Sequence, residues 1–229
     1  MAIIKFLDKK LNVELKDEVD RSIANEIFKF REYRVAENVI RSCQSPIIDG
    51  GAHIGLFTLY VRVLNPDTSI IVFEPENSNY ERLQKTIEDN SMENIHLENF
   101  ALASDSGKRQ LVLSNDSHNH YLSAASDQLA SARIQPCRAV SLLDYCERNK
   151  IKKIGLLKLD IEGGEFELLR AWGEKEFDLI ETLILEYHNT PQRSHKELIK
   201  ILGENKFGVQ SFTSQFDRSM GFIFARRRK

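Results

Sequence analysis

The chain is short of the features that mark several protein classes. Its three cysteines, Cys43, Cys137 and Cys146, are odd in number and show no paired spacing. Nothing here suggests a disulfide framework or a thiolate metal site, and reduced thiols in a cytoplasmic protein are the expected state. There is no run of 18 apolar residues to supply a membrane-spanning helix. The opening MAIIKFLDKKLNVELKDEVD meets charge too early to hold the apolar centre of a secretory leader. An excess of one charge is missing too: 32 Lys and Arg stand against 34 Asp and Glu, a net charge of −2. A generic nucleic-acid binder, which carries a basic excess, finds no support in that balance. Internal repeats and a linker able to divide the chain are absent. What remains is ordinary for a globular protein, at 41% hydrophobic and 29% charged residues, and 229 residues can bury a core without staples.

Periodicity lays out the elements. In residues 1–45, Ile3, Ile4 and Phe6 suit a short hairpin with Val13 and Leu15. Val19, Ile23, Ile27 and Phe30 then recur at helical spacing, and Val35, Val39 and Ile40 suggest a second short helix before Pro46. This predicts an N-terminal helical cap over 1–45 on an α/β domain over 46–229. From Ile47 the pattern becomes strand, helix, strand SIIVFEP (69–75), helix, strand IHLENFALA (95–103). Such alternation predicts a doubly wound parallel sheet. Residues 114–135 are polar and without a period, so a loop or weak helix is expected. Strand IGLLKLDIEG (154–163), a short helix Glu165–Trp172, strand TLILEYH (182–188), a helix over 194–205 and a closing hairpin complete the reading.

The loop DGGAHIG, residues 49–55, joins the first strand to its helix. Gly50, Gly51 and Gly55 have the wrong spacing for the dinucleotide fingerprint, and no Lys followed by Ser or Thr makes a P-loop. The form is D-x-G-x-x-x-G, on Asp49, Gly51 and Gly55. Glycines there let a backbone approach a ligand, and the helix start aims free N–H groups at it. Glu74 ends the second strand, where a carboxylate can take both hydroxyls of a ribose. Alone it marks a nucleoside, not which one.

The segments DGGAHIGLFTL, FEP, FALASDSG, LLKLDIEGGEFELLR and LILEYH together resemble the FkbM family of S-adenosylmethionine-dependent methyltransferases, from about residue 20 to the C-terminus. LKLDIEGGE is the most specific piece. The resemblance implies a class I Rossmann-like seven-stranded sheet with helices on both faces and an antiparallel last strand. It implies S-adenosylmethionine as cofactor and methyl transfer to a hydroxyl of a sugar, glycan or natural-product acceptor. By the same carry-over, Asp49, Gly51 and Ala52 line the methionine part and Gly55 allows close approach. Glu74 holds the ribose, Pro75 packs on adenine, and Phe100 and Ala101 grip the ring. His53 either bonds the cofactor carboxylate or faces solvent. Ser104 and Asp105 either reach the adenine amine or form a turn before Gly107.

Asp160 and Glu162 are two apart at a strand end, so both carboxylates are expected on one face, costly unless used or paired. Asp160 is expected to face the sulfonium and the nucleophile. Glu162 is expected to act as base, shape the acceptor pocket or cap the following helix. Lys158, on the same face, pairs with either carboxylate. His188, beside Glu186, has an ordinary pKa suited to deprotonating a hydroxyl near neutrality. The motif of Asn or Asp, two prolines and an aromatic, found in many amino-methylating enzymes, is absent; Asp160-Ile161-Glu162 stands in its place and favours oxygen as acceptor. Asp116, His118 and His120, or Asp160 with Glu162, raise a divalent metal, but the histidine spacing is no recognised ligand pattern and a metal is not the favoured reading. Residues 1–45 and 114–135 are expected to flank the mouth and choose the substrate. The alternatives are an N-directed or nucleic-acid methyltransferase on the same fold, a non-catalytic S-adenosylmethionine-binding protein, and an NAD(P)-dependent oxidoreductase, which the glycine spacing opposes.

Overall fold

A computed structural model describes residues 1–113, 121–124, 133–214 and 217–228. The chain opens with a hairpin of β1 (Ala2–Phe6) and β2 (Lys9–Val13), turned at a left-handed Leu7. Helix α1 (Glu18–Ala24) is capped by Asp17, which accepts from the Asp20 N–H. It continues as a π turn, Asn25–Lys29, then a 3-10 turn, Glu32–Ala36, into α2 (Glu37–Ser42). There follow β3 (Ile47–Gly50), α3 (Leu56–Leu64), β4 (Ile70–Phe73), α4 (Asn77–Asp89), β5 (Ile95–Glu98), β6 (Phe100–Ala103), β7 (Gly107–Leu113), β8 (Tyr121–Ala124) and β9 (Arg133–Ser141). The rest is α5 (Leu142–Arg148), β10 (Leu156–Leu159), α6 (Gly164–Ala171), α7 (Glu174–Leu179), β11 (Thr182–His188), α8 (His195–Glu204), β12 (Phe207–Thr213) and β13 (Met220–Arg227).

Seven strands form the main sheet in the order β12-β13-β11-β10-β3-β4-β5. The pairs from β11 across to β5 are parallel, and β13 is antiparallel to both its neighbours. The doubly wound sheet with a reversed last strand is the one expected. Its winding changes direction between β3 and β10, so the crevice for a ligand opens at the carboxyl ends of those strands. Strands β3, β4 and β10 are buried along their whole length, as parallel strands covered on both faces must be. Alternation divides their side chains between two cores: Ile48, Ile71, Leu157 and Leu159 face α5 to α8, while Ile47, Ile70, Val72 and Leu156 face α3. The first 45 residues feed that second core. Phe6 stacks on Tyr60 of α3 at 4.9 Å, and Phe28 and Tyr33 close around the same ring. The Tyr60 hydroxyl donates to Glu37 at 2.6 Å.

Three local expectations change. IHLENFALA is two strands, β5 in the main sheet and β6 in a second sheet ordered β6-β9-β7-β8. The break falls at Asn99, whose Nδ2 donates to the carbonyls of Glu74 and Pro75, at 3.0 and 3.4 Å. The local pattern of IHLENFALA, polar at His96, Glu98 and Asn99, gives no sign of a change of sheet. Of the polar stretch 114–135, the described parts are strands, Tyr121–Ala124 and the start of β9. Asp116, His118 and His120 lie outside the described residues. Finally, β10 stops at Leu159, so Asp160 and Glu162 sit beyond it rather than on one strand face.

Candidate active site

A cleft with a cavity volume of about 110 Å³ opens at the carboxyl ends of β3, β4 and β10. Its walls are apolar, built from side chains such as Phe57, Phe73, Phe100 and Ile161, with Leu111 and Leu122 from the second sheet and Ile23, Ile27 and Tyr33 from the N-terminal segment. Its polar points are His53, Glu74, Asn79, Lys158, Asp160 and Glu162. Of the expected cofactor residues, Gly51, Ala52, His53, Glu74, Pro75, Phe100, Ala101 and Asp160 line the cleft. Asp49 and Gly55 are not part of the lining.

The glycines answer to the protein's own packing. A Cβ on Gly51, which has φ +74, would meet the Asp160 carbonyl oxygen at 1.8 Å. One on Gly55, at φ +86, would meet a Leu83 methyl of α4 at 2.6 Å. Gly51 therefore lets the β3 and β10 loops touch, and Gly55 lets α4 close on the loop.

Glu74 is only 5% exposed. Its Oε2 accepts the His53 N–H at 2.7 Å and its Oε1 accepts the Glu76 N–H at 2.9 Å. Burial outweighs those bonds and pushes the carboxyl up to about 8. Each oxygen keeps a lone pair free to accept from one of two neighbouring hydroxyls. A buried acid with accepting capacity to spare, beside the apolar slot of Pro75, Phe100 and Ala101, fits a nucleoside.

Asp49 lies beneath the cleft, fully buried. Thr58 donates to its Oδ2 at 2.7 Å, and Lys158 Nζ stands 3.3 Å from its Oδ1. Lys158 is also 3.3 Å from Asp160 Oδ2 and donates to the Gly51 carbonyl at 2.7 Å. Burial by itself lowers the ammonium's pKa, but the charges of Asp160 and Asp49 outweigh it and hold Lys158 charged, well above its usual value. Lys158 thus pairs with both carboxylates and ties the two loops together.

The other end of the cleft is crowded with acid. Glu162 sits in a left-handed turn, φ 54, followed by Gly163 at φ +91. The turn is held by Glu165, whose two oxygens accept from the N–H groups of Ile161 and Gly163, at 2.7 and 2.9 Å. Capping belongs to Glu165, which burial pushes up to about 7. Glu162 Oε2 is 3.8 Å from His188 Nδ1, and His188 Nε2 is 3.5 Å from Glu186 Oε1. Burial and the charge of Asp160 raise Glu162 and Glu186. Burial, with Glu186 nearby, pushes Glu32 up to about 8. The bond to Glu186, with the charge of Glu162, pushes His188 up to about 9, so the ring is cationic at neutral pH rather than poised near its ordinary value. His188 is outside the lining and reaches the cleft through Glu162. Ser104 and Asp105 form the turn before β7, bonded to Glu167 and Arg109 and away from the cleft. Among the described residues, no group of three or more His, Cys, Asp or Glu is arranged to hold a metal ion.

The family model for the methyltransferase FkbM domain matches residues 49–223. The chain belongs to the FkbM methyltransferase domain family. "Methyltransferase 1" of Beauveria bassiana is 26% identical over 157 residues, covering 61% of this chain and 63% of that protein. The chain thus spans less than two thirds of that relative's length. Among solved structures, an rRNA methylase from Streptococcus thermophilus superposes with a TM-score of 0.55 at 14% identity, covering 87% of this chain and 98% of that one. Magnesium protoporphyrin IX methyltransferase from Synechocystis PCC 6803, solved with bound SAM, gives 0.55 at 13%, covering 95% and 87%. Those two share the fold. Within this FkbM-domain chain, residues 1–45 and 114–135, expected at the mouth, both supply side chains to the cleft; sequence reasoning missed only which ones. Ile23, Ile27, Glu32 and Tyr33 precede the matched segment, and only the spacing of Ile23 and Ile27 hinted at a buried face. Leu111 and Leu122 reach the cleft because the second sheet folds over it, which no local pattern announces.

Proposed function

We propose that the chain is an S-adenosylmethionine-dependent O-methyltransferase acting on a hydroxyl of a small-molecule or glycan acceptor. The observation that carries this reading is a single cleft joining Glu74, a buried acid beside an apolar slot, to the Glu162–His188–Glu186 chain. When bound, the cofactor supplies an electrophilic methyl carbon. Glu74 takes the ribose hydroxyls, Pro75, Phe100 and Ala101 hold the adenine, and the Gly51–His53 backbone meets the methionine part. Lys158 fixes the Gly51 carbonyl and the Asp160 carboxylate against each other, which orients the loop edges facing the reacting centre. Glu162 is the base: burial raises its carboxyl to about 8, so its ionised form takes the hydroxyl proton most readily above neutral pH. The His188 cation beside it stabilises the charge it carries before it accepts the hydroxyl proton. The apolar walls exclude water from the transfer. Residues 1–45 act as a substrate-side extension of a methyltransferase domain over 46–229, with Ile23, Ile27 and Tyr33 closing one side. The acidic mouth and the net charge of −2 support an acceptor without phosphates.

The test is calorimetry followed by transfer of labelled methyl across a panel of glycans and polyols. The chain is expected to bind S-adenosylmethionine and to label a hydroxyl, and Glu162→Gln to bind the cofactor but transfer little. Binding of NAD in place of S-adenosylmethionine would overturn the reading.

A further inference from the structure

We propose that Asp20 is a positioning residue for the cofactor loop, acting from the N-terminal segment through His53. This rests on reading the cleft as a nucleoside site. Asp20 lies on α1, before the family-matched residues 49–223. Its side chain is wholly buried. Oδ2 accepts the Lys16 N–H at 2.7 Å and an ion-paired hydrogen bond from Arg82. Arg82 belongs to α4, the helix that Gly55 packs against through Leu83, and also donates to the Glu14 carbonyl at 2.9 Å. Oδ1 is buried, makes no hydrogen bond and faces the His53 ring, 3.8 Å from Nε2.

His53 is the one residue of the 51–55 loop that takes a left-handed conformation without being glycine, at φ 51. Such a residue costs about 1–3 kcal/mol and persists only when its surroundings over-determine it. Glu74 holds its backbone N–H, and Asp20 faces its ring. The same N–H is one of the two donors that orient the Glu74 carboxylate, so the His53 turn sets the aim of the ribose-binding group. The Asp20 carboxylate meets Arg82 through Oδ2 and leaves its buried Oδ1, which shares the charge, directed at the loop. Asp20 thereby couples the docked N-terminal segment to the shape of the cofactor loop.

The test uses the full chain and two measurements. Asp20→Asn keeps an oxygen for Arg82 and removes the charge facing His53. In the cofactor-free protein, amide exchange is expected to quicken at residues 51–55 while the slowest core amides of β3 and β10 keep their rates. By calorimetry, S-adenosylmethionine binding is expected to weaken about tenfold, and Asp20→Asn added to His53→Asn is expected to cost nothing further. Unchanged exchange at 51–55, or fully additive losses in the double variant, would overturn the proposal. If Asp20→Asn does not fold, His53→Asn alone decides by the same exchange readout: a quickened loop supports it, an unchanged loop refutes it. Failure of the unsubstituted chain to bind S-adenosylmethionine would refute the nucleoside reading, and the exchange experiment would still judge the Asp20 coupling.

Discussion

At the β3–β4 end of the cleft, carboxylates are met by groups that cannot turn away: Glu74 by two backbone N–H groups, and buried Asp49 by Thr58 and Lys158. At the β10–β11 end, Glu162, Glu186 and Glu32 stand close to Asp160, with Lys158 and His188 as the cations among them. The first arrangement suits binding, because fixed donors hold one geometry. The second suits proton transfer, because His188 stands within 4 Å of two raised carboxyls and can pass a proton between them. One fold keeps the two apart by placing them on opposite sides of the point where the sheet reverses its winding.

The largest expected effect strikes the contact that joins the ends. Gly51→Ala puts a methyl into the Asp160 carbonyl and strains φ +74. It should cost about 3–5 kcal/mol of stability, read by denaturant unfolding. Stability near that of the unsubstituted chain would show the two loops to be mechanically independent. Next, Glu162→Gln should lower turnover about 100-fold and leave S-adenosylmethionine affinity within about twofold. A matching loss of affinity would erase the division of labour. The converse variant, Glu74→Gln, should weaken cofactor binding by about thirtyfold, the scale of a charged buried hydrogen bond, with turnover at saturating cofactor largely kept. A turnover defect without a binding defect would reverse the assignment of the ends.

The smallest effect is on stability against pH. Glu32, Glu74 and Glu165 are raised in the folded chain to about 8, 8 and 7, His188 to about 9, and Glu162 lies above its ordinary value. A raised pKa means the folded state binds the proton more tightly. The stabilisation is then complete below the unfolded values, near 4.5 for the glutamates and 6.5 for His188, and is lost as pH climbs through the folded ones. The melting temperature of the cofactor-free chain should therefore fall from pH 5 to pH 9, with a shallower slope in Glu162→Gln. A melting temperature that climbs over that range would contradict the crowding.

Much of this was legible beforehand. The apolar runs at Ile47, Ile70 and Leu156 marked strands buried on both faces, and the turn and charge punctuation between them marked helices. Asp49, Gly51, Glu74 and the Asp160 segment were visible as strand-end chemistry, and eight of the ten expected cofactor residues line the cleft. The rest escaped for physical reasons. Asn99 ends a strand by bonds to the Glu74 and Pro75 carbonyls, a link across 25 residues. Gly55 is required by Leu83, and Gly51 by a carbonyl on a distant loop. His188 takes its charge from Glu186 and Glu162, and ordinary pKa values cannot anticipate a neighbour that only folding provides.

The sequence by itself determined the alternation of strands and helices around the main sheet, the closing hairpin and the glycine and carboxylate motifs, because each depends on local period, chain stiffness and residue chemistry. Only the tertiary structure decided which carboxylates answer to fixed donors and which crowd one another, that a second sheet covers the cleft, which side chains of the N-terminal segment line it, and that Asp20 faces His53. Those properties depend on distances between residues far apart in the chain, and on burial that no segment has until the others cover it.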